Sequence, residues 1–314
     1  MSADLTNRPG IAFLDQLVVS LGNLNDPVTS YVLKFLDNTG ARPAHDQSVR
    51  GGVPVEAAQH LARLHRSAEG LGIALDHDVD TRLTSGMSAL LAAEGLDGAG
   101  VDASIRITVS RGAPRARGLL PPDESSAPTL VVQAWPVTPA PAGHLETGLH
   151  LIASAVRRDP SSPIVALKTT SRAEYVYARL EARRAGADDA LFLTIDGHLS
   201  EGTSANIFLI RASSTGGALD LATPSLDCAI LPGTTRSWLL EWAARVGLRP
   251  AEDRLTPDDL EHAEEAFLSS SVAGVLPVTR FDGRPIGTGR PGPWTLRARA
   301  DRQSLGGSMP EGSS

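Results

Sequence analysis

The stretch "SEGTSANIFLI", residues 200 to 210, decides how this chain is read. Its second half, Ile207-Phe208-Leu209-Ile210, is an apolar run with the residue types of a strand entering a core. Its first half carries Glu201, a run of small residues and then Asn206. A carboxylate at the mouth of a buried strand needs a reason, because an unpaired charge is costly to remove from water.

Two neighbouring features supply candidates. Upstream, in "PIVALKTTSRAEY", Lys168 follows an apolar, strand-like run and precedes a helical pattern. The chain has 29 basic residues, yet only Lys34 and Lys168 are lysines. Where the chain needs only positive charge it uses arginine, so a retained lysine points to chemistry that a guanidinium cannot perform. A neutral primary amine attacks a carbonyl, whereas arginine stays protonated. Lys34 sits in the amphipathic pattern "DPVTSYVLKFLDNTG" and reads as a solvated helix residue. Glu201 lies 33 residues beyond Lys168, with one helix and one strand between, a length that returns the chain to the same end of a sheet. Downstream, "LPGTTRSWLLEWAARVG" places a Pro232-Gly233 turn before Thr234, Thr235 and a helix. Hydroxyls, unbonded N–H groups and the positive helix end make an anion site there. "FLSSSVAG" offers a second hydroxyl cluster at a strand end, with Gly274 beside it.

Composition bounds the partners. At 314 residues, 41% hydrophobic and 21% charged, the chain has the make-up of a globular α/β protein of two domains. A net charge of -7 argues against nucleic acid as a partner. The lone Cys228 rules out an internal disulfide and fits a reducing cytoplasm. The opening "MSADLTNRPG" lacks the order of a signal peptide, and no apolar run has the length of a membrane span. No metal site is expected.

Element patterns follow the same logic. "EAAQHLARLHRSAEGLGI" predicts a helix through Leu61, Leu64, Ala68 and Leu71, stopped at Gly72. "VDASIRITVSRG" and "TLVVQAWPV" predict strands, and "TPAPAGHLETG" reads as a domain connection. Strands and helices then alternate through "LHLIASAV", "SRAEYVYARLEARRAG", "ALFLTI" and "RSWLLEWAARVG", with further strands around an Asp282-Gly283 turn. The expected division is a smaller domain over 1–135, a connection over 136–148, a larger domain over 149–302 and a disordered tail over 303–314.

The order of these motifs resembles the class IV aminotransferase family, the fold-type IV enzymes that use pyridoxal 5′-phosphate. That family includes branched-chain and D-amino acid aminotransferases and aminodeoxychorismate lyase. The resemblance covers roughly residues 48 to 300. It implies an α/β (α+β) fold of two domains with the cofactor between a small N-terminal and a larger C-terminal domain, in a homodimer. It implies that Lys168 forms the aldimine with the cofactor and moves the proton between Cα and C4′. Glu201 matches the carboxylate on the pyridine nitrogen, Asn206 a support for its strand, and Leu231 the apolar residue on the ring face. Thr234, Thr235, Ser271 and the N–H of Val272 match the phosphate cup. "HLARLHRSA" is similar to the family's His-x-x-Arg-Leu-x-x-Ser, which gives Arg63 to the phosphate and leaves His60 structural. For the substrate, Arg117 and Arg115 in "VSRGAPRARGL" match the carboxylate-binding loop of the lyase and D-amino acid enzymes, and Ser48 falls on a strand lining the pocket.

The chain departs from the pattern in two places. "RPAHDQSVR" stands where the family has Gly-Asp-Gly-x-Phe-Glu, and Ala173 stands where branched-chain members place a tyrosine five residues after the lysine. The implied activity is transfer of an amino group between an amino acid and a 2-oxo acid. Aminodeoxychorismate lyase, releasing pyruvate and 4-aminobenzoate, is the alternative, and a non-catalytic relative is a third reading.

Overall fold

The computed structural model describes residues 11–14, 17–21, 44–112, 127–137, 140–213, 216–217 and 219–305. The helix expected around Lys34 and the loop bearing Arg115 and Arg117 lie outside these residues. The described chain forms two compact units. The first runs to Val137 and takes in Leu167–Ser171; the second comprises Thr138–Ala166 and Arg172–Leu305. The segment that carries Lys168 therefore groups with the first unit, not with the larger domain to which the sequence reading gave it.

The first unit holds β1 (Ile11–Leu14), β2 (Leu17–Leu21), β3 (Ala44–Arg50), β4 (Val53–Pro54), α1 (Ala57–Gly70), α2 (Val79–Ala93), β5 (Asp102–Ser110) and β6 (Thr129–Pro136). Its six strands run in the order β1-β2-β6-β5-β3-β4. Ile105, Ile107 and Val109 of β5 alternate onto one face, where Leu61, Leu64 and Ala68 of α1 complete the core. α1 ends as its glycine predicts, with Gly72 at φ 63°. The helix α2, unmarked in the sequence reading, buries Val79, Leu83, Met87, Leu90 and Leu91 in the same core.

The second unit holds α3 (Ala142–Glu146), β7 (Leu149–Arg158), α4 (Ala173–Arg184), β8 (Asp189–Thr194), β9 (Leu199–Gly202), β10 (Asn206–Ala212) and β11 (Leu219–Pro224). After these come α5 (Thr234–Val246), β12 (Arg249–Asp253), α6 (Pro257–Glu261), β13 (Glu265–Ser270), β14 (Gly274–Phe281), β15 (Arg284–Pro285) and α7 (Pro293–Gln303). The sheet runs β12-β11-β10-β13-β14-β7-β8-β9, and β9 also pairs β10. That extra pairing closes β7, β8, β9, β10, β13 and β14 into a ring, which leaves β9 no longer a free sheet edge. The closing register sets Glu201 opposite Asn206, and Gly202 N–H donates to the Ala205 carbonyl at 2.8 Å.

The run Ile207 to Ile210 is buried on both faces. Ile207 and Leu209 join Leu191, Leu199 and Leu268 in one cluster. Phe208 and Ile210 face α5, packing with Leu239, Trp242 and Phe267. A strand covered on both faces reads as a continuous apolar run rather than an alternating one. Phe208 and Phe267 stack at 5.3 Å between centroids, a contact worth about 0.5–1.5 kcal/mol beyond its buried area.

Three expectations are corrected. The run before Lys168 is not a strand: Pro163–Ala166 forms a turn and Ile164 is 63% exposed. Pro163 has no N–H for a ladder, and the run is too short to repay one. The connection over 136–148 contains the short helix α3. Gln303, where the tail was expected to begin, is the last residue of α7, a turn follows to Leu305, and the rest of the expected tail lies outside the described residues.

Candidate active site

In the second unit the ring closure gathers Glu201, Asn206 and Leu231. Glu201 is 4% exposed. Its Oε2 accepts from the Leu231 backbone N–H at 2.9 Å and from Asn206 Nδ2 at 3.5 Å. Its Oε1 accepts from Arg158 Nη2 at 3.4 Å and from the Tyr175 hydroxyl at 3.3 Å. Four donors satisfy an ionised carboxylate that burial alone would make untenable. Asn206 does more than shape its strand: the same Nδ2 donates to the Leu231 carbonyl at 3.0 Å, tying the carboxylate to the turn before α5. Gly233 is required in that turn, since a Cβ there would overlap Asn206 Oδ1.

Arg158 and Tyr175 were not singled out in the sequence. Arg158 closes β7 with its side chain 2% exposed and bridges Glu201 and Glu174. Its guanidinium lies 5.0 Å from the Tyr175 ring centroid and 5.4 Å from that of Phe192. The available signal was a paired Arg157-Arg158 ending an apolar strand. Tyr175 lies two residues beyond Ala173, the position where a tyrosine was sought and not found. Ala173 is the first residue of α4, and the phenol that reaches the carboxylate comes from the next part of that turn.

Burial first, and the Glu201 carboxylate second, push the Tyr175 phenol up to about 12. The phenol therefore stays protonated and donating at neutral pH. Because the folded value exceeds the unfolded one of about 10, the phenol's contribution to stability holds below pH 10 and is lost as pH climbs toward 12. Urea midpoints at pH 9 and 11 are expected to fall in the unsubstituted chain and to fall less in Tyr175→Phe. Equal falls would remove this assignment.

The start of α5 carries the hydroxyls. Thr234 and Thr235 are its first two residues and are buried. Thr234 Oγ1 lies 3.3 Å from Ser271 Oγ, so the two hydroxyl clusters read from the sequence meet. Val272 lies in the turn after β13 and is 37% exposed. Arg302, near the end of α7, donates to Thr235 Oγ1 at 3.3 Å. Thr235 then accepts through its oxygen and keeps its proton to donate elsewhere. Ser269, two residues after Phe267 and so on the α5 side of β13, has a buried Oγ with no hydrogen bond in the structure.

In the first unit α1 builds a polar stripe beside its apolar one. His60, Arg63 and Ser67 recur at helical spacing and all are buried. Arg63 Nε donates to His45 Nδ1 at 3.3 Å, and Arg63 Nη2 to His60 Nδ1 at 3.3 Å. Lys168 N–H donates to Ser67 Oγ at 3.1 Å. Leu167 packs so closely on α1 that a Cβ at Gly70 would lie 2.8 Å from its Cδ2. Arg63 and the Lys168 backbone are thus fixed to one helix. Ser48 is not brought to them. It pairs across from Ser104, out of phase with His45, and lies on the opposite sheet face.

A family model described as amino-transferase class IV matches residues 47–281. The chain belongs to this family. A Methanocaldococcus jannaschii protein assigned as a branched-chain-amino-acid aminotransferase is 32% identical over 250 residues, 79% of this chain and 81% of that one. The D-alanine aminotransferase of Bacillus licheniformis is 29% identical over 261 residues, covering 82% and 84%. The solved structure of the T.th. branched-chain amino acid aminotransferase with pyridoxamine 5′-phosphate superposes with a TM-score of 0.76 at 27% identity, covering 88% and 89%.

The residues of this class IV aminotransferase suit a phosphorylated pyridine. Such a group needs a carboxylate for its ring nitrogen and donors for its phosphate. Glu201 is a buried carboxylate already oriented by four donors. The buried Ser269 hydroxyl on the α5 side of β13 has no hydrogen bond in the structure, and the Thr234 and Ser271 hydroxyls meet at the start of α5, donors of the kind a phosphate needs.

Proposed function

We propose that this class IV aminotransferase binds pyridoxal 5′-phosphate and moves an amino group between an amino acid and a 2-oxo acid. The observation that carries the reading is the buried Glu201 carboxylate held by Leu231, Asn206, Arg158 and Tyr175. When bound, the cofactor supplies an aldehyde that condenses with amines and a protonated ring that draws charge from the substrate's Cα.

The chain's own residues do the rest. Lys168 Nζ would be the amine that holds the cofactor, and as a base it would take the proton from the substrate's Cα. Glu201 keeps a proton on the ring nitrogen. Thr234, Thr235, Ser271, the Val272 N–H and Arg63 hold the phosphate through charge-assisted and dipolar contacts. Leu231 would lie against the ring and keep water from it. Ser48, on the sheet face opposite His45, stays a candidate for the substrate side of the pocket. The lyase reading leaned on Arg117, which lies outside the described residues, and on the Ser48 hydroxyl of β3. A homodimer in the cytoplasm is part of the same proposal.

The test is a matrix of L- and D-amino acids against 2-oxo acids with the reconstituted protein. Parallel double-reciprocal lines for a productive pair, the mark of a ping-pong route, are expected. Pyruvate released from aminodeoxychorismate with no 2-oxo acid present, and no transfer with any pair, would replace this reading with the lyase one.

A further inference from the structure

His45 is an uncommon occupant of its place. It sits on β3, opposite Ile107 of β5, on the face that otherwise builds the apolar core of the first unit. It is fully buried. Arginine can only donate, so the Arg63 Nε contact requires a lone pair on His45 Nδ1. The ring proton is then on Nε2, which is buried and makes no hydrogen bond in the structure. The titratable groups whose charge acts on the ring are His60, Arg63 and Arg66 from α1 and Lys168 from the neighbouring segment, and Ile107 is its cross-strand neighbour. Burial first, and the charges of Arg63 and Lys168 next, hold the imidazole well below its ordinary value. A neutral imidazole is thus the stable form among these cations.

We propose that His45 is a positioning residue: its Nδ1 lone pair sets the guanidinium plane of Arg63 for the phosphate of the cofactor. The inference rests on the proposed cofactor reading and adds to it a residue drawn from the segment that departs from the family pattern. The contacts that orient the guanidinium include one from the strand, through His45, and one from its own helix, through His60. Losing the strand contact leaves Arg63 its charge but not its plane, and a bidentate partner is sensitive to that plane.

The test uses the full chain stripped of cofactor, titrated with pyridoxal 5′-phosphate and with pyridoxal. The ratio of the dissociation constant for pyridoxal to that for pyridoxal 5′-phosphate reads recognition of the phosphate alone. Asn can place Oδ1 where Nδ1 stands, whereas Gln places its oxygen near Nε2. His45→Asn is expected to keep the ratio within about threefold of the unsubstituted chain. His45→Gln and His45→Leu are expected to lower it about tenfold, the scale of one charge-assisted hydrogen bond, with pyridoxal binding unchanged. Equal ratios for Asn and Gln would overturn the proposal, even if the Leu variant fails to fold. An unsubstituted chain that binds both compounds equally would overturn the phosphate reading itself and this inference with it, and is told apart because it needs no variant.

Discussion

Replacing Lys168 with alanine is expected to abolish covalent capture of the cofactor and to cut amino transfer by more than about 10⁴-fold, since attachment and proton transfer are lost together. The fold should hardly notice. A contact that fixes this segment to α1 runs from the backbone N–H of residue 168 to Ser67 Oγ, and Leu167 packs against Gly70. Both survive the substitution. The thermal midpoint should therefore stay within a few degrees while activity disappears. A large fall in midpoint would mean that the lysine side chain serves structure instead.

The second large effect is expected at Glu201. Glu201→Gln keeps the shape and removes the charge, so the ring nitrogen loses its counter-ion and the electron-withdrawing power that depends on it. Exchange of the substrate's Cα proton, followed by NMR in deuterated buffer, should slow by about 10²–10³-fold, the scale of one electrostatic stabiliser in a dry site. Capture at Lys168 should persist. Stability should also fall, because Arg158 is left with a buried charge. Removing one member of a buried pair costs about 3–5 kcal/mol. The cost should be smaller here, about 1–3 kcal/mol on the same scale, because Glu174 still accepts from Arg158 Nη1 at 2.7 Å. Adding Arg158→Met to Glu201→Gln should recover part of that loss without restoring exchange. Recovery of both would show Glu201 to be only the partner of Arg158.

Much of this was legible in the residues. The run Ile207 to Ile210 declared a buried strand because both of its faces are covered, and Glu201 with Asn206 marked its mouth because the ring closes there. The Gly233-Thr234-Thr235 start of α5 was legible because turn chemistry and helix ends are local. What escaped was long-range. Arg158 lies 43 residues from Glu201, and nothing in a strand-ending arginine says which carboxylate it will meet. Tyr175 was missed because a fixed spacing was sought from Lys168, whereas the phenol is delivered by the phase of α4. His45 lay in a segment read only for what it lacked, and its value comes from α1 crossing β3. The apolar run before Lys168 misled because hydrophobicity without alternation or length does not make a strand.

The most direct measurement is reduction of the cofactor-loaded protein with borohydride, followed by proteolysis and mass spectrometry. The expected result is the reduced phosphopyridoxyl mass on the peptide containing Lys168 and on no other, with the visible absorption band bleached. A colourless protein that takes up no cofactor, or the added mass on Lys34, would contradict Lys168 as the reactive amine and the aminotransferase mechanism built on it.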